Sequence, residues 1–244
     1  MKILLLLCVI AFSQAHAESL KTVTFSDNFD DGNLEGWTIM SGDWSNLGDQ
    51  LLSSYHNYGI IRKNDSFGYN QSVQVDAYFD SGIPDSKTAQ LFLRNGDASW
   101  GPNPFWDHGY FANVLNNVAT IFNAVEPYNQ QVIGQTRVIL APDSWHTIKF
   151  SVDGFGDQTN LQLRIDDVLY LDVFDRSGYQ HNDGGYLALG SSNHLNRRIN
   201  YDNFVGTSNA SIVPLPASNS IFVVGLLWIL GSVGGFRLKR KAVH

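Results

Sequence analysis

The sequence predicts an all-β protein, a two-sheet jelly-roll sandwich with an export signal before it and one membrane-spanning helix after it. Between Thr22 and Thr207 short alternating runs are separated by clusters of Gly, Asn, Asp and Ser, the pattern of antiparallel strands joined by tight turns. No part of that region combines a sustained helical period with caps, so almost no helix is expected outside the two ends. About a dozen runs within one domain's length favour a jelly roll.

The first element is Met1 to Ala17. Lys2 supplies the positive start, Ile3 to Phe12 the apolar run and Ala15-His16-Ala17 a small-residue exit, the layout of a secretory signal peptide. About 10 apolar residues fall short of the roughly 20 that span a bilayer, which argues against an uncleaved helix. Signal peptidase is therefore an expected partner, with cleavage after Ala17. Cys8 lies inside the apolar run and is the only cysteine, so the mature chain can form no disulfide.

The body, residues 18–212, follows. Gln71 to Phe79 places Val73, Val75, Ala77 and Phe79 on one face, as a half-buried strand requires. Further runs are Gln50 to Ser54, Gly59 to Arg62, Thr88 to Arg94, Tyr110 to Asn116, Ala119 to Val125 and Gln131 to Leu140. Trp145 to Asp153, Leu161 to Ile165, Val168 to Phe174, Gly185 to Gly190 and Arg197 to Phe204 complete the series. Asp166-Asp167 reads as the turn of a hairpin.

The last element is 213–241. Val213-Pro214-Leu215-Pro216-Ala217-Ser218 precedes an apolar stretch, 217–236, and then Arg237, Lys239, Arg240 and Lys241 in the basic tail 237–241. The apolar stretch is long enough to cross a bilayer with some tilt, and the cations hold its end in the cytoplasm. A buried core helix would not usually end in such a cluster. Pro214 and Pro216 hold the preceding segment extended.

Charge separates the parts. All 23 acidic residues lie between Glu18 and Asp202, against 11 basic residues outside the two end segments. Such a surface repels nucleic acid and other polyanions and suits an extracellular protein or a cation binder.

The order of motif, apolar helix and basic tail resembles the PEP-CTERM family of sorting signals in its Val-Pro-Leu-Pro-Ala form. Leu215 stands where the family usually has glutamate. The resemblance implies an exosortase as partner, a transient inner-membrane anchor, and a final place at the bacterial cell surface or in an extracellular polysaccharide matrix. A proline-containing linker before an ordinary anchor is the plainer reading.

Within the body, Asp27-Asn28-Phe29-Asp30-Asp31-Gly32 leads to Gly36-Trp37, then Gly42-Asp43-Trp44 and Gly48-Asp49-Gln50-Leu51. Ser144-Trp145-His146, Leu163-Arg164-Ile165-Asp166-Asp167 and Ile199-Asn200-Tyr201-Asp202-Asn203-Phe204-Val205 come later in the same order. Together they resemble concanavalin A-like and laminin G-like domains. The resemblance implies neighbouring first and last strands, so that Asp30 and Asp202 meet and, with Asp27 and turn carbonyls, hold a structural calcium. The alternative is that Asp-Asp-Gly is turn chemistry.

The same fold includes glycoside hydrolases, which need two carboxyl groups at a defined separation. The exported part has only Glu18, Glu35 and Glu126, none spaced as an alternating catalytic pair. Asp172 with Asp175, or Asp166 with Asp172, remain possible pairs. There is no mature cysteine, no Gly-x-Ser-x-Gly elbow and no zinc-type histidine spacing, so the chain reads as a non-enzyme. His146 reads as a packing residue. The aromatic stretch from Ala98 to Tyr110 offers Trp100, Asn103, Trp106, Asp107 and Tyr110 as sugar contacts, rings for the apolar faces and polar groups for the hydroxyls. The opposing possibility is that its rings fold inward. The leading expectation is a lectin-like protein binding or organising extracellular polysaccharide. A carbohydrate-active enzyme or a purely structural matrix component are the alternatives.

Overall fold

The computed structural model describes residues 21–53, 59–79, 88–96, 109–115, 117–126, 129–182, 184–191 and 199–210, all within the compact unit Ser19–Ser211. The expected export signal, the 213–218 motif, the expected 217–236 span and the basic tail lie outside them. Among the described residues no helix is long and apolar enough to cross a membrane.

The strands are β1 (Lys21–Asp27), β2 (Trp37–Ser41), β3 (Ser45–Asn46), β4 (Leu51–Leu52), β5 (Gly59–Phe67), β6 (Asn70–Phe79), β7 (Thr88–Asn95) and β8 (Gly109–Leu115). The rest are β9 (Val118–Glu126), β10 (Asn129–Arg137), β11 (Ser144–Asp153), β12 (Asn160–Ile165), β13 (Val168–Phe174), β14 (Gly185–Ser191) and β15 (Asn200–Ala210). The helical content of the described residues is a single 3-10 turn, Gly156–Gln158. The strands form two antiparallel sheets. The first runs β13-β12-β11-β6-β15-β4-β3, with β1 joining β15 as an eighth strand; the second runs β10-β9-β8-β7-β14-β5-β2.

Alternation decides which side chains meet between the sheets. Val73, Val75 and Ala77 of β6 and Ile148, Phe150 and Val152 of β11 face Leu91, Leu93, Ala112, Val114 and Ile121 in one core cluster. Each fully buried Leu, Ile, Val or Phe stabilises the fold by about 2 kcal/mol relative to an exposed position. Tyr201 crosses the core from β15. Its hydroxyl donates to the Gly190 carbonyl at 2.6 Å and accepts the Gln90 amide at 3.0 Å, so one phenol is hydrogen-bonded into the ladder of the opposite sheet. Burial pushes that phenol well above its ordinary pKa.

First and last strands pair as expected, from Lys21 opposite Ala210 to Asp27 opposite Phe204. Asp166 and Asp167 both take positive φ, 50° and 63°, and join Ile165 to Val168 in a two-residue hairpin, where twist favours such turns. Strands β1, β2 and β3 were not read from the sequence: β2 and β3 are broken up by the Asp- and Gly-rich opening and β1 runs directly into it, and β15 extends to Ala210 where β1 supplies a partner.

Candidate functional site

The outer face of the seven-stranded sheet carries two parallel rows. Strand register brings Ala188 of β14 beside Phe92 of β7, Phe92 beside Phe111 of β8, Phe111 beside Phe122 of β9 and Phe122 beside Val132 of β10. The rings stack: Phe92 and Phe111 are 5.3 Å apart and 27° from parallel, Phe111 and Phe122 4.6 Å and 12°. Two residues along, the row is Gly190, Gln90, Asn113, Thr120 and Gln135. Gly190 has to be glycine, since a Cβ would lie 2.6 Å from a Phe92 ring carbon and 2.9 Å from Gln90 Oε1.

Phe92 and Phe111 are each only 4% exposed, while Val132 is 57% exposed and Phe122 is half-buried. The strip is therefore covered over β7 and β8 and opens over β9 and β10. In the polar row Gln135 Nε2 donates to Thr120 Oγ1 at 3.1 Å. Gln90 Oε1 and Asn113 Oδ1 accept no hydrogen bond although buried, an unmet capacity that costs free energy unless a donor arrives. A ring floor beside amide groups with spare acceptors can hold a polyol: rings meet its C–H faces, amides its hydroxyls. These residues were not singled out in the sequence. Their signal was weak, a Phe at an outward position on each of three successive strands.

Trp100, Asn103, Trp106 and Asp107 fall in segment 97–108, which connects β7 to β8, and lie outside the described residues. Tyr110 is placed differently from expectation. It is 0% exposed and points into the core, where its hydroxyl donates to Asp175 Oδ2 at 2.7 Å. It offers no face to a ligand because β8 alternation turns residue 110 inward when Phe111 is outward.

Tyr110 belongs to a buried polar network at one end of the sandwich. Asp175 also accepts Asn123 Nδ2 at 3.0 Å and the Ser177 amide at 2.8 Å. Arg94, 1% exposed, donates to the Tyr69, His181 and Gly154 carbonyls, each at 2.6 Å. Burial lowers the Arg94 pKa, and burial followed by the Asp175 hydrogen bond pushes the Tyr110 phenol well up. Every group in this set has a partner, so it acts as a structural lock. The proposed Asp172–Asp175 pair is not assembled: Asp175 is sealed in the lock, while Asp172 is exposed on β13 and accepts Asn160 Nδ2 at 2.8 Å.

The calcium set Asp27, Asp30 and Asp202 is only partly brought together. Asp27 Oδ1 accepts the Phe29 amide at 2.8 Å and Oδ2 the Trp37 indole N–H at 2.7 Å, so its carboxylate is committed to local structure. Asp31 accepts the Asn33 amide and Asn33 the Glu35 amide, at 3.0 and 2.7 Å. The Asp/Asn spacing of this opening is thus a run of side-chain-capped turns. Asp202 does sense Asp30, together with Asp76 and Asp49; burial first, then these like charges, raise its carboxyl above the ordinary range. The donor chemistry, oxygen only, fits calcium. The geometry does not: among the described residues no three His, Cys, Asp or Glu side chains converge to hold an ion.

The same aromatic corner holds Lys63, 1% exposed, with Nζ 3.3 Å from the Phe25 ring centroid and 4.9 Å from that of Trp37. Burial lowers its pKa. Gly36, at φ 79°, leaves it room, since a Cβ there would stand 2.7 Å from Nζ.

One grouping has the outline of a nucleophile, base and acid. Ser144 Oγ lies 3.0 Å from His146 Nε2, and His146 Nδ1 2.7 Å from Asp166 Oδ2. The Ala141 carbonyl lies 2.9 Å from the same Nε2 and accepts the Ser144 hydroxyl at 2.7 Å. A base must leave Nε2 free to take the serine proton; here that nitrogen and the hydroxyl both face one carbonyl. The arrangement pins the start of β11 to the β12–β13 turn, so His146 has a polar bracing role besides its edge contact with Phe79 at 6.0 Å.

Fold and face define an antiparallel jelly-roll sandwich with an aromatic and amide-lined sheet surface. No family model matches the sequence, and no curated protein matches it. Among solved structures the chain is similar to the carbohydrate binding module CBM66 from Bacillus subtilis, at 19% identity and TM-score 0.50, over 72% of this chain and 94% of that one. It is similar to the potassium-bound Emp46p carbohydrate recognition domain at 9% identity and TM-score 0.60, over 76% and 96%. A Bacillus licheniformis β-glucanase aligns at 11% identity and TM-score 0.55, over 76% and 97%. At these identities the likeness concerns the fold.

Proposed function

We propose that this chain is an exported, concanavalin A-like lectin of the cell surface or extracellular matrix that binds or organises polysaccharide through the outer face of its seven-stranded sheet. The carrying observation is the open end of the strip over β9 and β10, where half-buried Phe122, backed by the stacked Phe111, and exposed Val132 stand beside Thr120 and Gln135. The names of two structural neighbours, a carbohydrate binding module and a carbohydrate recognition domain, support the reading. Trp100, Asn103, Trp106 and Asp107 remain the sugar contacts that the sequence offers, outside the described residues.

A glycoside hydrolase is the second reading, favoured by the β-glucanase likeness. It requires an acid and a second carboxyl group across the cleft. Gln90, Asn113, Thr120 and Gln135 of the polar row are hydrogen-bonding groups suited to sugar hydroxyls, which supports the binding reading. The Val-Pro-Leu-Pro-Ala motif, apolar stretch and basic tail support anchoring and release by an exosortase after signal peptidase has acted. Calcium enters this reading as a counter-ion of the Asp30 and Asp202 edge rather than as a chelate closed by Asp27.

The full-length chain presented to an array of neutral polysaccharides is expected to bind at least one. Phe122→Ala should weaken that binding about tenfold, the loss of one ring stack. Silence across the array, or an unaffected Phe122→Ala, would remove the reading, and turnover of a glycoside panel would replace it with the hydrolase. For the tail, mass spectrometry should show loss of the residues after the 213–218 motif only in cells that contain the sorting protease.

A further inference from the structure

The outer face of the eight-stranded sheet carries a different combination. Trp145 of β11 is 40% exposed and stands opposite Tyr78 of β6 in register, their rings 5.5 Å apart and inclined at 57°. The alternation that sends Ala77, His146 and Ile148 inward sends Tyr78, Trp145 and Thr147 outward. Two residues along the same strands, Thr147 faces Asp76, and Asp76 faces Asp202 of β15. Same-face neighbours on a strand are about 7 Å apart, so carboxylates begin one side-chain step from the rings.

The pairing of β15 with β6 breaks between Asp202 and Val205, and Asn203 there takes φ 51°. This bulge exposes Asn203, whose amide donates to Asp76 Oδ2 at 3.0 Å, while Thr147 Oγ1 donates to Asp76 Oδ1 at 2.5 Å. Bulges of this kind re-aim side chains at functional edges. The charges that act on Asp202 are those of Asp30, Asp76 and Asp49, all of like sign. The face thus offers rings at one end and, beyond them, the paired carboxylates Asp76 and Asp202, without three carboxylates converging on a point; the next outward residue of β11, Lys149, stands opposite Gln74 on the side of Asp76 away from the rings.

We propose that this face binds a cationic glycan, a chain of hexosamine units with free ammonium groups. One pyranose ring lies on Trp145 and Tyr78, and the ammonium of a neighbouring unit lies among Asp76 and Asp202. Polyanions are repelled by those carboxylates. A second copy of this chain is disfavoured too, since its body carries 23 acidic against 11 basic residues. A neutral glycan would stack but leave the charge unanswered, whereas an ammonium glycan satisfies both halves of the face. The inference rests on the reading of the protein as a polysaccharide binder but uses the other sheet, so a single molecule with two occupied faces would join two glycan chains.

The test titrates the full-length chain with a glucosamine oligomer and with an N-acetylglucosamine oligomer of equal length. The glucosamine oligomer should bind at least tenfold more tightly at low salt, with the advantage shrinking as salt rises and calcium competing for the same carboxylates. Trp145→Ala and Asp202→Asn should each cut that binding about tenfold, Asp202→Asn while leaving neutral-glycan binding unchanged; Phe122→Ala should weaken neutral-glycan binding and leave glucosamine-oligomer binding unchanged. Equal affinity for the two oligomers, or equal binding of alginate, overturns the proposal. If Trp145→Ala does not fold, Asp202→Asn and the salt dependence decide it. Loss of neutral binding alone would sink the Phe122 face and leave this one standing.

Discussion

Asp175 and Asp202 are both aspartates on strand ends, yet their surroundings are opposite. Asp175 is fully buried and takes three neutral donors from Tyr110, Asn123 and Ser177. Asp202 is partly exposed and crowded by Asp30, Asp76 and Asp49. A buried polar side chain is tolerated only when its hydrogen bonds are met, so the Asp175 region is built for stability. A crowd of like charge lowers stability, so the Asp202 edge costs the fold free energy that the Asp175 region does not.

Breaking the satisfied side should cost most. Arg94→Met removes three charge-assisted hydrogen bonds and leaves the Tyr69, His181 and Gly154 carbonyls without their donor. A loss of about 3 to 5 kcal/mol in a denaturant titration is expected. Tyr110→Phe deprives the buried Asp175 of one donor and should cost about 1.5 to 3 kcal/mol by the same measurement.

The crowded side should respond in the other direction and by less. Because the folded Asp202 carboxyl is raised above its unfolded value, the native state holds its proton longer. Stability is then lost as pH rises from the unfolded pKa through the folded one. Asp202→Asn should flatten that slope and raise the melting temperature slightly near neutral pH, as read by thermal melts at several pH values. The smallest effect is calcium, which should raise the melting temperature of the wild type relative to chelator and leave Asp202→Asn unchanged. An Asp202→Asn variant less stable than wild type at neutral pH would erase the contrast between the two aspartates.

Much of the fold was legible because it is written locally. Alternation in Gln71 to Phe79 gave β6 and its buried face, and Asp166-Asp167 gave a turn whose two positive φ values short polar residues tolerate. The short β3 was not legible, since a two-residue strand exists only where its neighbour β4 offers a partner, whereas β4 lies inside the run Gln50 to Ser54. The Asp27 to Glu35 opening shows the same limit from the other side. Its composition is compatible with a metal loop and with capped turns, and only the positions of Trp37 and Phe29 decided for the turns.

By itself the sequence determined the two-sheet class and the acidic balance of the body, because each follows from short-range pattern and composition. Tertiary structure alone decided that Phe92, Phe111 and Phe122 form one strip, that Tyr110 faces inward, and that Asp76 and Asp202 share a face with Trp145 and Tyr78. Those contacts join residues far apart in the chain through strand register. A shift of one residue would send each side chain to the opposite face.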